Sequence, residues 1–176
     1  KITGSRFVPA ETHTIKLEGS GTIGYRSFWI GGIRDSVLIS QIDEFMTKVH
    51  QSIKQKIAQV YAGKLSPSDW QLRYRVYGRN GVMGALEPEK EVKSHEIALL
   101  GEVIAPTQDV AYNIAYLYRY NTMHHHYGRF SGLTTNLAYP FGPLQFNAGP
   151  VYKFFLNHLI EPDSPCEMFP IEHKEV

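Results

Sequence analysis

Cysteine is nearly missing. The 176 residues hold one, Cys166, so no internal disulfide can form, and a reducing, cytoplasmic setting is expected. Long apolar runs are missing as well. Nothing approaches the roughly 20 residues that a membrane-spanning helix needs, so no membrane partner is expected. Nor is there an excess of one charge. With 18 basic against 17 acidic side chains the net charge is +1, which argues against a nucleic-acid partner held by a basic surplus. A Gly-x-Ser-x-Gly elbow is absent, and Cys166 lies between Pro165 and Glu167 with no histidine near it in sequence, so nucleophilic hydrolase chemistry has little support. The chain starts at Lys1 without an initiator methionine or an apolar signal core, as expected of a processed product or the tail of something longer.

What is present reads as an ordinary globule, 43% hydrophobic and 20% charged, which excludes wholesale disorder. Residues 1–176 are of a length for a single domain, either the C-terminal part of a longer protein or a separate small subunit. Aromatics reach 12%, and many fall in polar loops, where something is expected to pack on them.

Between Thr12 and Gly32 two extended stretches flank Glu18-Gly19-Ser20-Gly21, and the pattern predicts a β-hairpin. After Asp35, an N-cap residue, apolar side chains recur at Leu38, Ile42, Phe45, Met46, Val49, Ile53, Ile57 and Val60. That spacing predicts about seven turns of amphipathic helix, closed by Gly63 and lying on a sheet. Trp70, Leu72, Tyr74 and Val76 alternate with polar residues and predict a half-buried strand. A solvated loop from Arg79 to Lys93 follows, then a strand from His95 to Ile104 and a helix capped by Thr107 with Val110, Ile114, Leu117 and Tyr118 inward. Val151 to Ile160 is apolar on both faces and predicts a central, covered strand. The expected fold class is α+β: a mostly antiparallel sheet with two helices on one face, in tandem ββα units.

Chemistry has a few places to reside. His124-His125-His126 ends the second helix. Consecutive helical residues point about 100° apart, so the three cannot share one metal, although two could if the helix has unwound there; no metal site is expected, and the readings are a place at the negative end of the helix dipole or one of the three as acid or base in a cleft. Tyr77-Gly78-Arg79-Asn80-Gly81-Val82-Met83-Gly84 sets three glycines around a guanidinium just after a strand. It reads either as an anion cradle or as an Asn-Gly turn with an exposed arginine. It lacks the Lys-Ser/Thr of a phosphate-binding loop. Glu96 and Glu102 share one strand face and His95 takes the other. Salt bridges to Arg26, Arg34, Arg73, Arg75 or Arg129 account for the acids, or else they act as acid or base. The candidate substrate-binding residues are Arg79, Arg34, Asn80 and Asn136, the last from the proline-pinned loop Asn136 to Pro143; the proton-transfer candidates are Glu102 and His95.

Several of these stretches, in order, carry a resemblance: Gly24-Tyr25-Arg26 with Gly31-Gly32-Ile33-Arg34-Asp35, Val76 to Gly84, Glu102 to Gln108, Asn136 to Phe141, and Gly149-Pro150-Val151-Tyr152. Together they resemble the C-terminal part of acyclic terpene utilisation A-like (AtuA-like) proteins, from about Tyr25 to Pro170. The resemblance implies catabolism of branched acids. Asn80 stands where an acidic residue is expected, so no family catalytic residue is carried over. Two functions follow as expectations. One is a domain of a lyase (hydratase or dehydratase) or isomerase acting on a carboxylic acid or acyl thioester, with a small anionic substrate. The other is a non-catalytic assembly domain that forms a homo-oligomer or pairs with a missing N-terminal domain. The cofactor is unknown.

Overall fold

The computed structural model describes residues 1–128, 135–164 and 166–174. Its elements are β1 (Ile15–Ile33), α1 (Ser36–Ser40), α2 (Ile42–Val60), β2 (Gln71–Tyr77), β3 (Ile97–Ala105), α3 (Gln108–His124) and β4 (Phe146–Ile160), with a 3-10 turn at Gly84–Leu86. The chain divides into two units, Ile23–Val151 and the termini Lys1–Thr22 with Tyr152–Val176.

In the larger unit the strand order is β2-β3-β1-β4. Both β1 and β2 pair antiparallel with β3, Phe28 and Arg73 lying opposite Glu102 on either side. A βαββαβ chain with this order is the split βαβ arrangement of ferredoxin-like folds, so the α+β expectation holds. Because side chains alternate, Leu72, Tyr74 and Val76 of β2 share a face with Leu99, Gly101 and Val103 of β3 and with Trp29 and Ile33 of β1. Those residues, together with Phe45, Met46, Val49, Ile53 and Ile57 of α2 and Ile114 and Tyr118 of α3, make the core. Gly101 is required there. A Cβ on it would stand 2.3 Å from the Trp29 indole, which lies across β3 at that point and meets the Tyr118 ring edge-on at 5.2 Å.

Local chemistry explains the helices. The Asp35 carboxylate accepts from the Leu38 N–H at 2.7 Å, and Thr107 Oγ1 accepts from the Val110 N–H at 3.3 Å. The expected long first helix is interrupted once, at Gln41, where the N–H turns back to the Leu38 carbonyl. The apolar stripe survives the interruption, because Leu38 and Ile39 of α1 stay buried alongside Ile42 of α2.

Four sequence expectations are corrected. The hairpin at Glu18–Gly21 is absent: β1 runs unbroken for 19 residues. Gly19 and Gly21 are not turn residues but seats for bulky neighbours, since a Cβ there would come within 3.2 Å of Leu156 and 3.0 Å of Phe155. The first half therefore has one strand, and the repeat takes the form of two βαβ halves. The strand expected from His95 begins at Ile97, opposite the last β1 residue, Ile33, so His95 and Glu96 precede it. The strand expected to be central and covered, β4, is an edge strand. Among its residues Tyr152, Phe154 and Phe155 are 63%, 69% and 66% exposed.

In the smaller unit Ile15–Thr22 of β1 neighbours Tyr152–Ile160 of β4 as a two-stranded ribbon. Lys16 and Glu18 form an exposed ion pair at 2.5 Å on one face of it.

Candidate functional site

Three of the six residues singled out from the sequence meet in one cleft. Arg34, after β1, Arg79, after β2, and His95, before β3, line a cavity of about 730 Å³ together with Asp43 and Glu44 of α2 and Lys90. The Gly-rich loop resolves into a tight turn. The N–H groups of Arg79, Asn80 and Gly81 all aim at the Val76 carbonyl, at 3.3, 3.1 and 2.7 Å, so the backbone donors that an anion would use have an internal acceptor. Gly81 is dictated by that turn, since a Cβ would lie 2.9 Å from the Val76 and Tyr77 backbone. Arg79 does grip a carboxylate through both guanidinium nitrogens, but the carboxylate is that of Asp43. This hydrogen bonding raises the pKa of the guanidinium further, against a smaller opposing effect of burial. Arg34 and His95 are exposed. On the same wall, Lys48 donates to Glu44 at 2.6 Å and holds its pKa below the ordinary carboxylate value, hydrogen bonding first and charge second.

The other three residues lie apart from this cleft. Asn80 gives its carbonyl to the Gly84 N–H at 2.7 Å and holds the turn. Glu102 sits on the sheet face opposite the helices, its side chain 12% exposed, with Arg26 Nε at 3.0 Å and Arg73 Nη1 at 3.9 Å. A carboxylate so placed is neutralised by two cations, as the structural reading of that residue required. Arg129, another arginine named as a partner for the acids, lies outside the described residues. Asn136 is buried, and its Nδ2 donates to the carbonyls of Thr122 and His125 at 3.0 and 2.7 Å. Those carbonyls belong to the end of α3, so the amide serves as a helix clamp.

The histidine run ends α3 as expected. The His124 ring packs on Tyr120 with centroids 4.6 Å apart, and His125 meets Phe45 at 5.6 Å. Burial, aided by the charges of His126, Lys48 and Lys56, holds the His125 pKa below its ordinary value.

Sequence reasoning missed a second constellation. His50 of α2 places Nε2 2.6 Å from the hydroxyl of Tyr118, which α3 carries into the core. The His50 ring also meets Tyr74 of β2 edge-on at 5.2 Å. Burial first, and the nearby Lys54 charge second, hold the imidazole pKa below its ordinary value. Burial pushes the Tyr118 phenol well up. Both groups are therefore neutral near pH 7. The signal was present in the spacing: His50 follows Met46 by four residues and Val49 by one, on the border of the buried stripe.

Among the described residues no group of three or more His, Cys, Asp or Glu side chains is placed to hold a metal ion, and no helix is long and apolar enough to cross a membrane. No family model, no curated protein and no solved structure matches the chain.

Proposed function

We propose that the chain is an assembly domain that pairs with a second copy of itself along β4. The observation that carries this reading is the exposure of Tyr152, Phe154, Phe155, Leu156 and Leu159 on an edge strand. An edge strand leaves a row of backbone N–H and C=O groups open, and a long apolar edge is a template for pairing. Two-stranded ribbons are marginal on their own in water, so Ile15–Thr22 with Tyr152–Ile160 gains most from added cover. A second copy suits this edge, since an antiparallel strand placed against itself across a two-fold axis makes a self-complementary contact. Size agrees. Taking about 200 Å² for an aromatic side chain and about 100 Å² for a leucine, the exposed parts of the five residues come to roughly 500 Å² per copy. Two copies reach at most about 1,000 Å², since the five side chains alternate between the two faces of the strand, which is the size of a weak, reversible interface.

The test is light scattering on the parent chain and on a Phe154→Lys, Phe155→Lys double variant. The parent runs as a dimer, and the variant as a monomer with an unchanged far-ultraviolet circular dichroism spectrum. A parent and variant of equal mass contradict the reading.

A second reading is supported by the cleft that gathers Arg34, Arg79 and His95, and by the resemblance to AtuA-like proteins: a domain of a catabolic lyase or isomerase acting on a carboxylic acid or acyl thioester. In that reading Arg34 holds the anionic group and His95 moves the proton, while Glu102 stays a structural ion-pair partner. Turnover of an acyl thioester by the longest chain that contains this domain, abolished by His95→Ala, supports it; turnover unaffected by His95→Ala removes it.

A further inference from the structure

The larger unit has a second sizeable cavity besides the arginine cleft. It lies between the C-terminal half of α2, the loop after it and the outer edge of β2, with a volume of about 650 Å³, a size typical of small-molecule sites. Its walls include Ile57, Leu65, Trp70 and Leu72. Its polar members differ from those of an ordinary packing defect. His50 lines it, with Nε2 engaged by Tyr118 in the core. Tyr118 is fully buried and, as a protonated phenol, is the natural donor to that nitrogen. The imidazole proton then resides on Nδ1, which makes no hydrogen bond among the described residues. Lys54, one helical turn further on, lines the same cavity and makes no ion pair among them either. The third contribution is backbone: β2 is the sheet edge on this side, so its outward amides have no neighbouring strand. Gln71 and Arg73 line the rim of the cavity as well, but the Arg73 guanidinium is engaged by Gln71 Oε1 at 2.8 Å and lies 3.9 Å from Glu102, which leaves Lys54 as the cation without an ion-pair partner among the described residues there.

An apolar chamber with one ammonium, one imidazole N–H and an open strand edge is complementary to a molecule with an apolar body and one anionic head. We propose that this cavity is a binding site for a small amphipathic monocarboxylate, with the carboxylate between Lys54 and His50 and the hydrocarbon against Trp70, Leu65 and Ile57. Tyr118 is a positioning residue here: it fixes the imidazole from behind and does not touch the ligand. A neutral alcohol of the same chain length fills the walls equally well but leaves the ammonium unpaired. The proposal stands apart from the pairing of β4, which involves other residues.

Trp70 supplies the readout. Its emission is followed while the full chain is titrated with octanoate, 1-octanol or acetate, with a Trp70→Phe variant identifying the signal. The expected result is saturable binding of octanoate, weaker binding of octanol and none of acetate. Lys54→Gln, a change at an exposed side chain, raises the octanoate dissociation constant by about fivefold or more and leaves octanol unaffected, since a charge-assisted contact is lost only for the anion. Ala58→Trp, which fills the chamber from its exposed helix wall, abolishes binding of both while the melting temperature stays within a few degrees. Octanoate and octanol binding alike, Lys54→Gln without effect on octanoate, or no saturable change with any probe would each overturn the proposal.

Discussion

Gly101 and Trp29 show how a single residue fixes its neighbours. The indole occupies the space that a side chain at Gly101 would need, so Gly101→Ala forces the ring off its seat against Tyr118. Overpacking of this kind costs typically about 1 to 3 kcal/mol, and urea denaturation of Gly101→Ala will show a loss of that size with an unchanged denaturant slope. His50 and His125 make a second prediction at this scale. Both have folded pKa values below the unfolded value of about 6.5, chiefly through burial. The unfolded chain therefore takes up protons first as pH falls, and stability present above about 6.5 is lost below it, until the folded imidazoles titrate as well. Thermal melts across pH 5 to 8 will show the decline on the acid side. Replacing His50 by Gln, which does not titrate, removes its share of the slope; a slope unchanged in that variant would show that His50 is not the group responsible.

Among the elements, α2 bears the largest share of the core. Ile53 lies at its centre with no exposed surface, between Val49 and Ile57. A carboxylate there has neither water nor a partner, and Ile53→Asp will lose on the order of 4 kcal/mol or more, enough to unfold a marginally stable domain. An unchanged circular dichroism melt would refute the placement of this helix. Elements whose pattern depends on their own residues were readable in advance: α2 from its 3.6-residue spacing, β2 from its alternation, and both helix starts from Asp35 and Thr107. Elements defined by a distant neighbour were not. Gly19 and Gly21 look like a turn in sequence and are glycines because Leu156 and Phe155 press against them. The two apolar faces of β4 look like burial and are exposed on an edge.

The same distinction governs the sites. Arg79 was readable as a two-pronged carboxylate holder, yet its carboxylate is Asp43, 36 residues away, which no local motif announces. Glu102 and Asn136 attracted attention as polar residues in ordered surroundings, and both satisfy groups of the fold: two arginines on the open sheet face and two carbonyls at the end of α3. The His50 and Tyr118 pair stayed hidden because its members are 68 positions apart and each, alone, resembles a core residue.

At the scale of the whole molecule, the larger unit is covered by helices on one sheet face, while the smaller unit leaves apolar aromatic side chains of β4 open. Self-pairing of that strand gives the exposed apolar edge an occupant that matches it. Sedimentation velocity of the parent chain from low to high micromolar concentration tests it most directly. A reversible dimer whose population rises with concentration is the predicted result, and a single monomeric boundary persisting at high micromolar concentration would contradict it.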